Sequence, residues 1–494
     1  MIKWGWSGMS HDAALAVMKD DELVYASHSE RYSRVKNDKN LHQDQIDEAL
    51  EYGYPDKVYY YETPWLKKCR QWRSGQPDLI WKQSPGNYLR QFGINKRNIT
   101  THHHHSHAAY GYFTSPFGDA DILVIDSIGE FETLSYWRGE GLKLTKVATN
   151  SYPSSVGLWY SAMTQRLGLK PQEHEYILMG MAAAGDKHKF YNLIMDDFFV
   201  QLPSRHNFDL IFKQNLHRGC QHWRPDLNTV QDLADIAAAV QAIYETILHG
   251  LLDFTRESGN KNVVLVGGCA LNCAANLQAF HKYENVWIPP NPGDAGSSVG
   301  AILAHNPQHT LVETACLGHN IEGEYPVDKI IHDLLTDGIS AVAAGKAEFG
   351  PRALGNRSIL ADPRLSNVKD LVNNIKQRES FRPFAPAVLA EHVMTNFTTP
   401  HKFWTAPYMQ YAIPCSNPAA FPGVIHIDNT SRVQTVNPDQ SGFRRLLETW
   451  YKKTGCPMLL NTSLNIRGEP LVNTREDAER WSQQYGVTVR TPKL

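Results

Sequence analysis

IKWGWSGMSHDAALAVMKDDELVYASHSE, residues 2–30, reads as strand, polar turn and hairpin. IKWGWSG is an apolar strand closed by Gly8, SHD is a tight polar turn, and Ala13–Glu30 alternates as a hairpin folded at KDDE. The same order returns at residue 121. There DILVIDS is a buried strand, IGE a polar turn, and TLSYWRGEGLKLTKVAT a hairpin folded at GEG. Identity between the copies is negligible, but the order of elements and the acidic residue in the turn recur. Two such units predict a duplicated fold in which each hairpin embraces one ligand.

Outward from these copies the pattern turns helical. DQIDEALEYG, SVGLWYSAMTQRLGL and DLADIAAAVQAIYETILHGLLDFTRES carry helical periodicity, whereas the polar, Trp-containing stretch 80–100 reads as loop and helix. KNVVLVGGCALNCAANLQAF runs strand, glycine-rich turn, helix start, and PPNPGDAGSSVGAILAH is a turn with an aspartate opening a helix. Turn-rich sequence from about His305 to Pro326 places a domain boundary near residue 315. The remainder, from ISAVAAGKAEFGPRALG onward, reads as a separate α+β unit.

Bulk properties narrow the function classes. A net charge of -2 provides no global basic field for nucleic acid or membrane, although a local groove stays open. The seven cysteines are scattered, with Cys269 and Cys273 read as buried small residues, so reduced thiols in a cytoplasm are expected. The start lacks a cationic region followed by an apolar one. No apolar run approaches the ~18 residues of a membrane span. A soluble, cytoplasmic chain with no membrane partner is the expectation.

HHHHSHAAYGYF, His102–Phe113, holds five histidines in six residues. On a helix, His103 and His107 share one face and can grip one metal ion; the alternative is a polar helix end. The acidic turns at Asp126 and Asp294 favour the metal. Two imidazoles and two carboxylates suit divalent iron, zinc or manganese with positions left for substrate. Taken separately, each aspartate also fits a turn or a cap.

Gly267 and Gly268 sit where a strand turns into a helix, which permits close approach of a nucleotide or phosphate. The stretch matches neither of the two common phosphate-loop fingerprints. Toward the C-terminus, Arg352, Arg357, Lys376, Arg378, Arg382, Arg432 and Arg467 stand among Gly and Pro in apolar flanks. That setting suggests preorganised forks for phosphate or carboxylate.

Taken together, HDAALAV, SERYSRVK, HHHSHAAY, DSIGEFET, GGCALNCAAN, PGDAGSSVGA, EFGPRALGNRSILADPR, IKQRESFRPFAP, HIDNTSRVQTV and TGCPMLLNTSLNIRGEP resemble, in order, the NodU/CmcH-type O-carbamoyltransferase family. GPRALGNRSIL and FRPFAP are the specific stretches. The resemblance implies an α/β and α+β enzyme of two modules. Residues 1–315 would be a duplicated actin-like ATPase (ASKHA) domain with a metal site, and residues 316–494 a YrdC-like α/β domain. The second module would convert carbamoyl phosphate and ATP, with Mg2+, into carbamoyl adenylate. The first would pass the carbamoyl group to an acceptor hydroxyl at a metal, usually iron.

By this resemblance the metal ligands are His103, His107, Asp126 and Asp294. His11 is the candidate general base, with Asp12 orienting it or capping the turn. Gly267, Gly268 and Asn272 would line the adenosine. Arg352, Lys376, Arg382 and Arg467, with Ser463 and Asn465, would hold carbamoyl phosphate and the ATP phosphates. The chain departs from the pattern at Ser127 and Asn429, where the family has glycine, and at Ile177, where it has lysine. Acceptors of relatives include sugar or antibiotic hydroxyls and hydroxymethylated pyrimidines of nucleic acid. The basic-aromatic stretches WLKKCRQWRS and RRLLETWYKK could stack a nucleotide. The alternatives are a tRNA threonylcarbamoylation-type enzyme and a non-enzymatic nucleotide- or RNA-binding protein.

Overall fold

A computed structural model describes residues 1–75, 84–379, 382–439 and 441–493, so the first part of the 80–100 stretch lies outside the described residues. The chain packs as two compact units that are discontinuous in sequence. The first holds residues 1–10, 14–24 and 49–312; the second holds 11–13, 25–48 and 313–494.

The first unit is built on two five-stranded sheets, less residues 25–28 at the end of one strand, which count with the second unit. One contains β1 (Ile2–Ser7), β2 (Ala14–Lys19), β3 (Glu22–His28), β4 (Lys57–Tyr60) and β5 (Asn98–Thr100), in the order β3-β2-β1-β4-β5. The other contains β6 (Asp119–Gly129), β7 (Glu132–Glu140) and β8 (Lys143–Ser151). After a minor pair, β9 (Phe199–Gln201) and β10 (Ile211–Phe212), it takes in β11 (Asn262–Val266) and β12 (Asn285–Trp287), giving β12-β11-β6-β7-β8. In both sheets the first strand pairs antiparallel with the next in sequence and parallel with a strand that arrives later, β4 beside β1 and β11 beside β6. The β2–β3 connection is the pair Asp20–Asp21, both at positive φ (47° and 71°), the conformation a two-residue hairpin loop needs. IGE is a turn only at its last residue. β6 runs on through Gly129 with irregular pairing between Ile125 and Gly129, and the chain reverses at Glu130, where φ is 57°.

Two helices set the position of the histidines. His103–Phe113 packs on Ser297–His305 so closely that a Cβ on Gly300 would lie 1.9 Å from the Ser106 carbonyl oxygen. After β11 the chain does not enter one long helix. It makes three short turns, Gly268–Leu271, Cys273–Asn276 and Leu277–His281. The 27-residue helix Val230–Arg256 begins at a capping box between Thr229 and Asp232 and buries its alanine- and leucine-rich face.

The second unit holds β13 (Cys316–Ile321), β14 (Ile339–Ala343), β15 (Gly345–Glu348), β16 (Arg357–Ala361), β17 (Ala385–Leu389), β18 (Ala412–Pro414), β19 (Thr430–Arg432), β20 (Gln434–Val436), β21 (Met458–Ser463) and β22 (Val489–Arg490). Six of them form a mixed sheet, β20-β17-β21-β16-β14-β22, with parallel pairs at its two edges. Helices Val327–Thr336, Val368–Lys376, Gly442–Thr454 and Arg475–Tyr485 accompany it. Among the described residues no helix is long and apolar enough to cross a membrane.

Candidate active site

His103 opens its helix and His107 follows one turn later, so their Nε2 atoms stand 3.1 Å apart. Asp126 sits in the irregular part of β6. Its Oδ2 lies 3.1 Å from His103 Nε2 and 3.9 Å from His107 Nε2, while its Oδ1 accepts the Gly268 N–H at 3.1 Å. Asp294, three residues before its helix, brings Oδ1 to 3.3 Å from both Nε2 atoms. All four side chains are buried, and the four donor atoms lie within 4.8 Å of one another. Among the described residues this is the one such group of His, Cys, Asp or Glu.

The donor set fits a divalent ion. Nitrogen and oxygen donors about 2.1 Å from a shared ion stand roughly 3.0–3.4 Å apart. Four of the observed separations, 3.1–3.3 Å, fall there. Two buried carboxylates side by side also need a countercharge. Burial alone would raise the Asp126 pKa, yet contact with the histidines holds it well below the usual range. Burial would lower that of His103, but Asp294 and Asp126 outweigh it and push it well up. The Nδ1 atoms of both histidines are buried without a hydrogen-bond partner, and Glu62 Oε2 lies 3.9 Å from that of His103.

Gly129 bounds the site, because a Cβ there would lie 2.2 Å from His103 Cδ2. Gly129→Ala is expected to rotate the ring and weaken metal binding ~10- to 100-fold, the scale of a disturbed outer shell. Metal titration followed by elemental analysis checks this.

The other three histidines do different work. His102 is exposed, with Nδ1 3.2 Å from Glu130 Oε2. His104 Nδ1 lies 2.8 Å from Ser135 Oγ, and burial beside His103 pushes its pKa well down. His105 stacks on Trp137 at 5.2 Å and 11°.

Gly267, with φ of 90°, directly follows β11 and donates its N–H to the Pro292 carbonyl, which brings the two glycine-rich stretches together. Asn272 is committed to structure. Its Oδ1 accepts the Ala275 N–H, and its amide exchanges hydrogen bonds of 2.9 and 3.1 Å with Gln241. Gln241 in turn donates to Glu245 Oε1 at 3.0 Å. Glu245 lines a cleft of about 430 Å3 with Lys187, Tyr191 and Gln278. No sequence pattern marks this cleft, since its walls come from three separate segments. Ile177, read from the sequence as a departure from a family lysine, is buried. Asn429 takes φ of 62°, the left-handed conformation that asparagine tolerates.

His11 and Asp12 belong to the second unit. His11 Nδ1 lies 3.2 Å from Asp12 Oδ2, and the imidazole is half exposed.

Also in the second unit, Lys376 ends its helix almost wholly buried. Nζ donates to Ser463 O (2.6 Å) and Oγ (3.0 Å) and to Asn465 O (3.0 Å) and Oδ1 (2.8 Å). Burial, with Arg378 and Arg382 nearby, pushes the Lys376 pKa well down. Arg467 and Arg382 share one counterion, Glu379, at 2.7 and 3.6 Å. Sequence reading passed over Glu379, although KQRES places it among the bases. Arg352 lies half-buried in the loop before β16.

Arg357 departs from the reading as an anion fork. It is fully buried and donates to the carbonyls of His319, Ala344, Gly345, Asn356 and Asn473 at 2.9–3.1 Å. Gly345 and Gly355, at positive φ of 62° and 122°, lie within one residue of three of these carbonyls, and the guanidinium acts as a structural tie.

Comparison with known proteins adds the following. The family model "Carbamoyltransferase N-terminus" matches residues 77–303, and "Carbamoyltransferase C-terminus" matches residues 331–490. An uncharacterized protein of Synechocystis sp. is 32% identical over 96% of this chain and 93% of its own. Nodulation protein NolNO of Sinorhizobium fredii is 30% identical over 95% of this chain and 76% of its own. The 3'-hydroxymethylcephem-O-carbamoyltransferase of Amycolatopsis lactamdurans is 25% identical over 97% and 96%. Among solved structures, the activator of the 2-hydroxyisocaproyl-CoA dehydratase from Clostridium difficile covers 62% of this chain and 95% of its own at 12% identity. Its TM-score is 0.31.

Proposed function

Because the chain belongs to the carbamoyltransferase family and is an enzyme of that class, we propose that it is an ATP-dependent O-carbamoyltransferase. Water attacks carbamoyl phosphate to give carbamate and inorganic phosphate, and a carbamate oxygen then bonds to the α-phosphorus of ATP, expelling pyrophosphate. An acceptor hydroxyl then attacks the carbamoyl carbon and AMP leaves. We assign activation to residues 316–494, read as a YrdC-like module, and transfer to residues 1–315, read as a duplicated ASKHA module. The like strand order of the two sheets supports the duplication.

The observation that carries this reading is the buried four-donor group. His103, His107, Asp126 and Asp294 would hold the metal, proposed to be Fe2+. When bound, such an ion polarises the carbamoyl oxygen as a Lewis acid. His11, oriented by Asp12, is the candidate base for the acceptor proton. Lys376, Arg382 and Arg467, with Arg352, would balance charge on carbamoyl phosphate and on Mg2+-bound ATP, with Ser463 and Asn465 fixing the lysine. Gly267 and Gly268 offer the adenylate a close backbone approach, while Asn272, through Gln241, supports Glu245 in the neighbouring cleft.

The acceptor is proposed to be a hydroxymethyl or sugar hydroxyl on a small molecule. A hydroxymethylated pyrimidine in nucleic acid is the second reading. It is favoured by Trp65 and Trp72, 64% and 73% exposed seven residues apart on the helix Pro64–Arg73. All seven cysteines are free, which supports a cytoplasmic location. The test is pyrophosphate release from ATP. It is expected only with carbamoyl phosphate present, and release that ignores carbamoyl phosphate would reject the reading.

A further inference from the structure

The segment His28–Lys36 begins at the last residue of β3 and belongs to the second unit. Two of its arginines hydrogen-bond to backbone carbonyls, while their carboxylate neighbours stand farther off, Asp477 Oδ2 at 3.8 Å from Arg34 Nη1 and Glu30 Oε1 at 3.8 Å from Arg31 Nε. Arg34 Nη1 donates to Leu471 O at 2.5 Å and Nη2 to Pro470 O at 3.0 Å. Arg31, 2% exposed, donates Nη2 to Gly350 O at 2.7 Å.

Those carbonyls lie in the two loops that carry the candidate anion-binding residues. Pro470 and Leu471 close the loop that begins at Ser463 and carries Arg467. The Val472 N–H reaches Leu464 O at 3.0 Å, and Asn465 Nδ2 donates to Glu469 O at 2.6 Å. The other face of that amide, Asn465 Oδ1, accepts Lys376 Nζ at 2.8 Å. Arg34 thus grips the chain one residue beyond the carbonyl that orients Asn465, and Asn465 orients Lys376. Gly350 precedes Arg352 by two residues in the other loop. There the Leu354 and Asn356 N–H groups are held by Glu348 Oε1 at 2.7 and 2.9 Å.

We propose that Arg34 is a positioning residue for the phosphate-binding cradle. It sets the 463–472 loop, and with it the Ser463–Asn465–Lys376 geometry, while Arg31 does the same for the loop bearing Arg352. The proposal rests on the reading of that cradle as the carbamoyl phosphate and ATP site. A planar guanidinium suits the task because it reaches two neighbouring carbonyls with fixed geometry, whereas an ammonium is a point donor on a flexible stem. Neither arginine need touch substrate.

The test uses the full chain with Arg34→Ala and Arg34→Lys, read in two ways. Hydrogen–deuterium exchange is expected to rise in residues 464–472 of Arg34→Ala and to stay unchanged in the helix Gly442–Thr454. Carbamoyl-phosphate-dependent pyrophosphate release is expected to show KM for carbamoyl phosphate raised ~10- to 100-fold, the scale of an ångström-sized misplacement. Arg34→Lys should recover part of that loss. Unchanged exchange in the loop would overturn the clamp. So would faster exchange with only kcat lowered in proportion to the folded fraction, since that marks a merely structural tie. No pyrophosphate release from the unsubstituted protein would instead fail the parent reading, and with it the catalytic meaning of the clamp.

Discussion

Replacing Lys376 with methionine is expected to lower carbamoyl-phosphate-dependent pyrophosphate release by ~100- to 1000-fold, the range for removal of one preorganised hydrogen-bond donor at a reacting centre. Methionine keeps the length and bulk of the side chain but deletes the donor. Four oxygens of Ser463 and Asn465 lose their shared partner. Leaving such acceptors buried costs about 1–3 kcal/mol each where water cannot reach them, so thermal unfolding must be followed in parallel. Loss of activity at a temperature where the variant remains folded, with metal content unchanged in the first unit, assigns the lysine to activation. Unaltered release would remove it from the site.

His107→Ala is expected to do the reverse. One of four donors disappears from a buried group in which His107 Nε2 stands 3.1 Å from that of His103. The remaining three must hold the ion with a cavity beside them. Bound metal should fall below half an equivalent, and transfer to acceptor should fall at least ~100-fold. Pyrophosphate release should continue, because Lys376, Arg382 and Arg467 belong to the other unit. Elemental analysis together with the two assays separates these outcomes. Wild-type metal content in His107→Ala would dismiss the ligand assignment.

What could be read from residues alone was local in origin. The spacing of His103 and His107 declares a shared helix face, because an α-helix brings i and i+4 together whatever else the chain does. The strands and most helices were legible for the same reason. The course of β6 past Asp126 was not. A polar IGE after an apolar strand has the composition of a turn, and only pairing with β7 shows the strand running on to Gly129. Nor did composition distinguish Arg357 from Arg467. Both stand within two residues of a glycine, but one is enclosed by five carbonyls and the other faces Glu379. The membership of residues 25–48 in the second unit is equally silent in sequence, since an apolar stripe declares that it will be buried but not against which core. The tie from Asn272 through Gln241 to Glu245 joins positions far apart in the chain and has no motif.

The most direct test of the central claim is mass spectrometry of the acceptor. Purified protein, Fe2+, Mg2+, ATP and carbamoyl phosphate would be incubated with sugars, a hydroxymethyl cephem, nucleosides and DNA containing hydroxymethylated pyrimidines. The account predicts that one acceptor class gains a single carbamoyl group, with AMP and pyrophosphate formed, and that the gain disappears in His107→Ala. ATP left untouched with carbamoyl phosphate and every acceptor present would contradict it.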